Sequence, residues 1–559
     1  MRRLRAEGPA LAVLGLMLVV GLVLRVLHND HGLPYVYYVD EGSHFTKRAV
    51  EIFRDANPGY FQNPSAYTYL LHLTYRVIAL PFGGGEKVIS GYNASAAWIW
   101  EISRGLAAVL CLVGVAAIYW VGRQLWDRRS GLVAAAVLCF AFLPVAFSRL
   151  AVTDVGTLAP VAIVLLGSIR IAEGATWRWC LGAGLAAGLA IGFKYTAGLV
   201  LLAPGLAIVL AFAARRDLGA AAIGLAALLA GTLLTFFVTN PYFVLDLDTA
   251  VHQLRGQAEL AGNQDKFGQQ GDSGPLYYLD SLGWGFGYAA GLAALAGAVL
   301  LARRDRTRLA ILLIFPVALF LYLSVQSRFF GRWLLPVYPA LALLAGYACM
   351  RGLAWVGERI PRWRWWILGA GAALLLWQPL AADARSMAVL GNTDTRAIAR
   401  QWLVEHSRRG LRVVIEPAVP DRYLFRIIGG RPRNTRDDQF VNEFIRDTRE
   451  EHIEYGRTLS PGLLDRYRRR GYCTVMTFGL IRGRAEESGD PRALAYYRRL
   501  ERESDLLFAV SPYRADESPQ PFSFDLSYSY YSPAYERPGP ETRIYRLRDC
   551  RQRYGAEAT

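Results

Sequence analysis

The chain reads as a multi-pass α-helical membrane protein that ends in a small α/β domain, and three observations predict that class. It is 53% hydrophobic over 559 residues, with a mean hydropathy of +0.22, too apolar for a water-soluble globule of this length. Apolar runs of about 20 residues, each long enough to cross a bilayer, recur from residue 9 to residue 382. The arginines fall mainly in short loops between those runs, as the positive-inside rule describes. The net charge of +16 and the pI of about 9.6 therefore reflect membrane orientation rather than nucleic-acid binding. No zinc finger, Walker loop or dinucleotide fingerprint is present.

Eleven spans account for the apolar runs: 9–27, 97–121, 131–148, 155–171, 179–193, 195–213, 219–239, 282–302, 309–326, 333–350 and 365–382. The basic start Met1-Arg2-Arg3-Leu4-Arg5 would also suit a signal peptide. No small-residue cleavage site follows Arg25-Val26-Leu27-His28, so the first span is read as uncleaved. The connections alternate in charge. One side receives the N-terminal arginines and the clusters at Arg123, Arg128 and Arg129, at Arg170 and Arg178, at Arg215 and Arg216, at Arg303 to Arg308, and at Arg351 to Arg364. That side is cytoplasmic by charge. An odd number of spans sends the C-terminal region outside, which makes this an inner (plasma) membrane protein with an extracytoplasmic tail.

Segment 66–82 is apolar but carries His72 and Arg76. As a span it would turn every later arginine cluster outward, so it is read as an amphipathic helix on the outer surface. His44 to Arg54 reads as a similar helix, with Phe45, Ala49 and Phe53 on one face. The transmembrane domain then covers 1–382, with a first outer loop at 28–96 and a large outer loop at 240–281. The tail, 383–559, is polar. Its β-like runs Leu411–Ile415, Cys473–Phe478 and Thr542–Leu547 are separated by helical patterns such as Thr395–Glu405 and Pro491–Glu501. Ser527–Pro540, rich in Tyr, Ser and Pro, reads as a loop. Cys473 and Cys550 are the only cysteines of the tail. They meet in a disulfide if the strands they flank are antiparallel neighbours, and are buried thiols otherwise. Cys111, Cys139, Cys180 and Cys349 lie in spans, where cysteine acts as a small apolar residue.

Chemistry points to the outer side. Asp40 and Glu41, in Tyr37-Tyr38-Val39-Asp40-Glu41-Gly42-Ser43-His44, follow the first span by about a dozen residues. Asp40 as a helix cap with Glu41 in the first turn is the structural account. The functional one makes Asp40 a general base and lets Glu41 position a partner. Asp154, at the hand-over from the third span to the fourth, is the third candidate carboxylate. Capping, or an ion pair with Arg149, is its structural account. The chain has only four lysines, Lys47, Lys87, Lys194 and Lys266, and all fall on the outer side. Lys194 interrupts a long apolar stretch. It either snorkels from a helix end or meets a phosphate. Arg328 and Arg332 depart locally from the positive-inside trend and need an anion, from lipid headgroup or substrate. Lys194, Arg328, Arg332 and Arg149 are thus the candidate donor-phosphate ligands, and Tyr38, His44 and Tyr242 the candidate acceptor or substrate contacts. His28, Asp30, His31, His44 and His252 are outer-side residues without a metal-ligand spacing, so no cofactor follows, although a divalent metal is left open.

These residues resemble the GT-C membrane glycosyltransferases of the protein O-mannosyltransferase and lipid A aminoarabinose transferase type. The carriers are Tyr38-Val39-Asp40-Glu41, Gln62-Asn63-Pro64-Ser65-Ala66-Tyr67, Thr153-Asp154, Gly192-Phe193-Lys194, Asn240-Pro241-Tyr242 and Arg332-Trp333-Leu334-Leu335-Pro336-Val337-Tyr338-Pro339. In the tail, Asp394-Thr395-Arg396 through Trp402 and Arg537-Pro538-Gly539-Pro540 with Ile544-Tyr545 look similar too. The resemblance implies a GT-C fold, a polyprenyl- or dolichyl-phosphate sugar donor, inversion at the anomeric carbon, and Asp40 at the catalytic centre. Many relatives carry His-Pro-Pro where this chain has Asn63-Pro64-Ser65, so no role of that histidine transfers. The resemblance leaves the sugar open, and leaves the acceptor open among lipid, glycan and protein. The rival from another class is a transporter or flippase for a lipid-linked sugar, which would place carboxylates at the bilayer midplane in broken helices. A non-catalytic scaffold would leave the outer-face charges unexplained.

Overall fold

The computed structural model describes residues 2–174, 176–408, 410–420, 423, 425–428, 431–436, 440–442, 454–523 and 530–555. Nine helical stretches among them are long and apolar enough to cross a membrane: Gly8–Val26, Ala97–Leu125, Asp154–Ala172, Tyr195–Arg215, Leu218–Thr239, Gly274–Ala302, Arg306–Ser324, Gly331–Arg359 and Trp366–His406. A tenth is the pair Arg128–Phe140 and Phe142–Ser148, bent by 56°, with an extended backbone at Ala141. The shorter apolar helix Trp177–Phe193 stands at the place of the remaining expected span.

Helix contacts rely on small residues, because lipid offers no hydrophobic drive between helices. Trp177–Phe193 packs on Leu218–Thr239 through Gly184 and Gly188. A Cβ there would lie 2.2 Å from the Leu228 carbonyl oxygen and 2.3 Å from that of Thr232.

Two boundaries differ from the sequence reading. The eighth span begins at Gly274, not 282, because Gly274–Leu282 runs through a π turn at Gly283–Gly287 into Tyr288–Ala302. The last span continues past Ala382 to Leu390. Asp383, Arg385 and Ser386 look like a helix end in sequence. In the fold Arg385 donates to the Tyr531 carbonyl (3.1 Å) and Ser386 accepts from Arg149 (2.9 Å), so the helix stays intact.

The first loop folds onto the bundle. Ala66–Ala79 has 14 residues, short of the roughly 20 a span needs. It buries Tyr67, Leu71 and Tyr75 and exposes Leu73, Val77 and Ile78. The Tyr67 hydroxyl donates to the Ser103 carbonyl (2.7 Å), fixing this helix to Ala97–Leu125. The 44–54 segment is less regular than expected: a π turn, Glu41–Phe45, precedes the short helix Thr46–Glu51. Phe45 and Ala49 are buried as their shared face requires.

The arginine clusters gather at one end of the bundle. Arg123, Arg128, Arg129, Arg308 and Arg351 line one depression, and Glu173 pairs with both Arg170 (2.9 Å) and Arg308 (2.6 Å). The tail and the candidate carboxylates occupy the opposite end.

The tail contains strands β1 (Leu411–Ile415), β2 (Phe425–Ile428), β3 (Arg431–Arg436), β4 (Phe440–Asn442), β5 (Thr474–Phe478), β6 (Ser504–Val510) and β7 (Thr542–Leu547). Five form one sheet in the order β4-β1-β5-β7-β6, and β2 and β3 form a separate antiparallel pair. β1 is parallel to β4 and β5, whereas β7 is antiparallel to β5 and β6. β1 and β5 are buried at every position, as parallel interior strands are. β5 and β7 being antiparallel brings Cys473 beside Cys550, and the two form a disulfide with Cα atoms 5.6 Å apart. Within the expected 527–540 loop, residues 530–540 carry no helix or strand beyond an isolated bridge at Tyr535. The rest of that segment lies outside the described residues.

Glu416, just past β1, is fully buried. It accepts the Phe478 N–H (2.8 Å) and the Tyr497 O–H (2.7 Å). Burial pushes its carboxyl up to about 8. A carboxyl raised above its unfolded value binds its proton more tightly in the folded state. Its contribution is therefore complete below about pH 4.5 and is lost as pH rises through about 8, a change of roughly 5 kcal/mol. Glu416→Gln should flatten tail stability between pH 5 and pH 8. Thermal unfolding of the full chain across that range checks this, and an unchanged slope would remove Glu416 as its source.

Candidate active site

The site is built where the first loop enters the bundle. Within Tyr37-Tyr38-Val39-Asp40-Glu41 the side chains take different environments. Val39 is 70% exposed while Glu41 is fully buried. Glu41 receives Arg104 in a fork, Nε to Oε1 at 2.6 Å and Nη2 to Oε2 at 2.9 Å. It also accepts the Ala151 N–H at 3.1 Å. Arg104 in turn donates to the carbonyls of Asn29 (2.5 Å) and His31 (2.9 Å). Glu41 thereby ties three segments together, with three of its roughly four acceptor positions taken.

Asp40 faces the other way. Its Oδ2 accepts from Arg332 Nη2 at 2.8 Å, and His44 Nδ1 lies 3.5 Å from Oδ1. The guanidinium of Arg332 also donates to the Tyr38 hydroxyl. It sits over the rings of Phe330 (4.8 Å), Phe147 (5.6 Å) and Tyr38 (5.9 Å). This aromatic cage fixes a cation that would otherwise be mobile. His44 stacks on Tyr60 with centroids 4.9 Å apart. Burial holds the His44 imidazole below its ordinary value; Asp40 opposes this, and Arg332 and Arg48 add to it.

Asp154 and Lys194 form a buried ion pair. Asp154 opens the one-turn 3-10 segment ahead of Leu158–Ala172, and Lys194 occupies the break after Trp177–Phe193. The Thr153 hydroxyl donates to the Phe193 carbonyl (2.8 Å), locking the two breaks together. Lys194 also interacts electrostatically with Arg332 and Asp40, so the two pairs make one cluster. Among the three carboxylates Asp40 is the accessible one, at 29% side-chain exposure against 6% for Asp154 and 0% for Glu41.

Three expected members stand elsewhere. Arg328 is half-buried and bonds to Gln264, through its carbonyl at 2.8 Å. Its backbone neighbour Phe329 is gripped by Gln269, and Arg328 therefore points along the large loop rather than at Asp40. Arg149 does not pair with Asp154. It donates to the Leu24 carbonyl (2.8 Å) and the Ser386 hydroxyl (2.9 Å). Tyr242 begins the helix Tyr242–Leu245 and neighbours Tyr69. The adjacent Asn240 does more: its Oδ1 accepts the Ser65 N–H (2.5 Å), and Asp246 accepts from Asn57 (2.9 Å). These bonds fasten the 57–65 segment over the site.

The sequence reading missed Arg104, Tyr60, Phe147, Phe330 and Gln269. An arginine inside an apolar span signals a buried partner, so Arg104 was within reach. The rings were not distinguishable from ordinary core residues. Among the described residues no three His, Cys, Asp or Glu side chains gather as a metal site would need. Asp40 and Asp154 each already face a cation, so the donor set does not suit a divalent ion.

Residues 100–242 match the dolichyl-phosphate-mannose-protein mannosyltransferase family. No curated protein sequence matches the chain. The fold is similar to archaeal oligosaccharyltransferase AglB from Archaeoglobus fulgidus, solved with an inhibitory peptide and a dolichol-phosphate. The TM-score is 0.53 at 12% identity, over 90% of this chain and 73% of that one. The apo form of that enzyme gives 0.53 at 14% identity, with the same coverage. ArnT from Cupriavidus metallidurans bound to undecaprenyl phosphate is a further likeness, with a TM-score of 0.49 at 17% identity, over 74% of this chain and 82% of that one. Over residues 100–242 the chain is thus similar to the mannosyltransferase family, and its overall fold is similar to that of the oligosaccharyltransferase AglB.

Proposed function

We propose that the chain moves a sugar from a polyprenyl-phosphate-linked donor to a hydroxyl acceptor at the outer face of the membrane, with inversion, using Asp40 as general base. The observation that carries this reading is the cluster itself: an accessible carboxylate beside two fixed cations, Arg332 and Lys194, at the end of the bundle opposite the arginine-rich loops. The dolichol-phosphate and peptide held by AglB support a lipid-linked donor and a separate acceptor. In this reading Arg332 and Lys194 hold the donor phosphate. The acceptor hydroxyl gives its proton to Asp40 as its oxygen bonds to the anomeric carbon. The bond from that carbon to the phosphate oxygen breaks, and polyprenyl phosphate leaves with the electron pair. Fixed cations at the leaving phosphate stabilise the charge that develops there. Residues 1–382, with the last helix running on to Leu390, act as the transmembrane domain, and the tail lies outside.

Purified protein incubated with radiolabelled polyprenyl-phosphate sugars and a cell-envelope extract tests the reading. Label passing into an acceptor, with loss of donor, supports it. Donor that merely crosses a vesicle bilayer unchanged supports a flippase instead. Sidedness has its own check. A reporter active only in the cytoplasm should be active when fused after Arg216 and silent after Asn392, and the reverse would place the cluster on the wrong side.

The phosphate roles separate by residue. Arg332→Gln and Lys194→Met should each raise the donor KM by at least about tenfold, as a desolvated charge-assisted contact implies. Arg328→Gln should have a much smaller effect, because that side chain is spent on Gln264. Equal effects at all three positions would mean a diffuse headgroup attraction rather than a site.

A further inference from the structure

A cavity of about 340 Å³ lies between the membrane helices and the tail. Tyr38, Arg104 and Arg149 line it from the membrane side, and the start of the helix Gly479–Ser488 lines it from the tail side. Five arginines among the described residues reach its wall, and four of them are committed. Arg104 pairs with Glu41 (2.6 Å), Arg396 with Asp394 (2.7 Å), Arg482 with Glu486 (2.7 Å) and Arg543 with Glu541 (2.8 Å). Arg149 differs. It is only 3% exposed, it makes no ion pair among the described residues, and its Nη2 is buried without a hydrogen-bond partner.

The charge behind Arg149 does not balance it. Asp383 is electrostatically close to both Arg149 and Arg25, yet neither of its oxygens has a hydrogen-bond partner. Two arginines thus share one carboxylate, leaving a positive surplus that faces the cavity. On the opposite wall the helix Gly479–Ser488 has no side-chain cap, and Leu480 and Gly483 of that helix line the space. The Gly479 N–H is taken by the Glu541 carbonyl (2.7 Å), and the N–H groups that follow it at this uncapped helix start carry partial positive charge. A buried unpaired guanidinium and such a helix end, facing one cavity, are complementary to an anion.

We propose that this cavity seats the acceptor, held by an acidic group on it, a phosphate or a carboxylate, between Arg149 and the start of Gly479–Ser488. The assignment rests on the reading of Asp40 as base. Tyr38 forms the shared wall, because its hydroxyl receives Arg332, the partner of Asp40. Asp40, Arg332, Lys194 and Asp154 do not line the cavity, so the acceptor hydroxyl must reach past Tyr38 to meet Asp40. Inverting displacement needs the acceptor oxygen and the leaving phosphate on opposite sides of the sugar carbon, so two separate anion sites fit the reaction. Arg149 moves accordingly from the donor phosphate to the acceptor.

The test uses the full chain in phosphatidylcholine nanodiscs, with the donor site first saturated by undecaprenyl phosphate. Radioactive inorganic phosphate is then titrated by equilibrium dialysis. Wild type should bind it, and Arg149→Gln should weaken that binding at least about tenfold while leaving undecaprenyl phosphate affinity unchanged. Leu480→Glu should weaken it likewise from the tail side, without disturbing the membrane helices, because an acidic residue in a first turn suits a helix. Absence of phosphate binding in the loaded wild type, or full binding in both variants, overturns the proposal. So does an Arg149→Gln variant that loses undecaprenyl phosphate instead. Wild type that never binds undecaprenyl phosphate strikes the donor reading, and the same phosphate titration without the lipid then decides the cavity. Nanodiscs of phosphatidylglycerol identify the source. Phosphate displaced there means that a lipid headgroup supplies the acidic group, and phosphate retained means a non-lipid acceptor.

Discussion

Asp40→Asn should lower turnover by roughly 10²- to 10⁴-fold, the usual contribution of positioned proton transfer, with little change in donor affinity. The amide can still accept from Arg332 Nη2, so the aromatic cage around that guanidinium stays filled. What it loses is the basic oxygen. Single-turnover transfer from a labelled polyprenyl-phosphate sugar measures the effect directly, and wild-type turnover would sink the base assignment. Asp154→Asn gives the necessary contrast. It strips Lys194 of its buried counter-ion and should raise donor KM and lower thermal stability together. A drop in kcat alone for Asp40, against that mixed effect for Asp154, separates chemistry from scaffolding.

The second large effect is expected at Glu41 and Arg104. Arg104→Leu leaves Glu41 charged, fully buried and held only by the Ala151 N–H. Removing one partner of a buried pair costs about 3–5 kcal/mol, enough to leave a marginal membrane protein unfolded in detergent. The double variant Glu41→Leu, Arg104→Leu should regain a large part of that loss, because two apolar side chains leave no stranded charge. Thermal unfolding followed by size-exclusion chromatography measures both. A double variant no more stable than Arg104→Leu would mean that Arg104 acts chiefly through its bonds to the Asn29 and His31 carbonyls.

The parts of this molecule that follow local rules were readable in the sequence. Span positions came from runs of apolar residues, and the grouping of the arginine loops came from charge. Strands β1, β5 and β7 were visible as short β-branched and apolar runs. The rest depended on contacts between distant segments. β6, Ser504–Val510, lacks a clean two-residue alternation and carries Asp505, so only its pairing with β7 makes it a strand. Asp40 and Glu41 are adjacent and chemically alike. Which is reachable and which is sealed depends on Arg104, 63 residues further on. Lys194 and Asp154 were singled out separately, and their pairing needed two helix breaks to meet. Arg328 and Arg332 looked equivalent, four residues apart, until Gln264 took one and Asp40 the other.

Through Gln269 the tail also has a hold on the caged guanidinium of Arg332. Its amide nitrogen donates to the Phe329 carbonyl (2.8 Å), and its oxygen accepts the Phe329 N–H (3.2 Å). The same loop is anchored upstream by Glu454 of the tail, which pairs with Lys266 and accepts the Phe267 N–H (2.7 Å). Phe329 lies three residues before Arg332, so the tail, the loop and the caged guanidinium form one mechanical linkage. A chimaera that exchanges the tail for another enzyme's would inherit a new acceptor wall and a loosened Arg332 at the same stroke. Retargeting such an enzyme therefore requires grafting the 264–270 segment together with the tail, as a single exchangeable cassette.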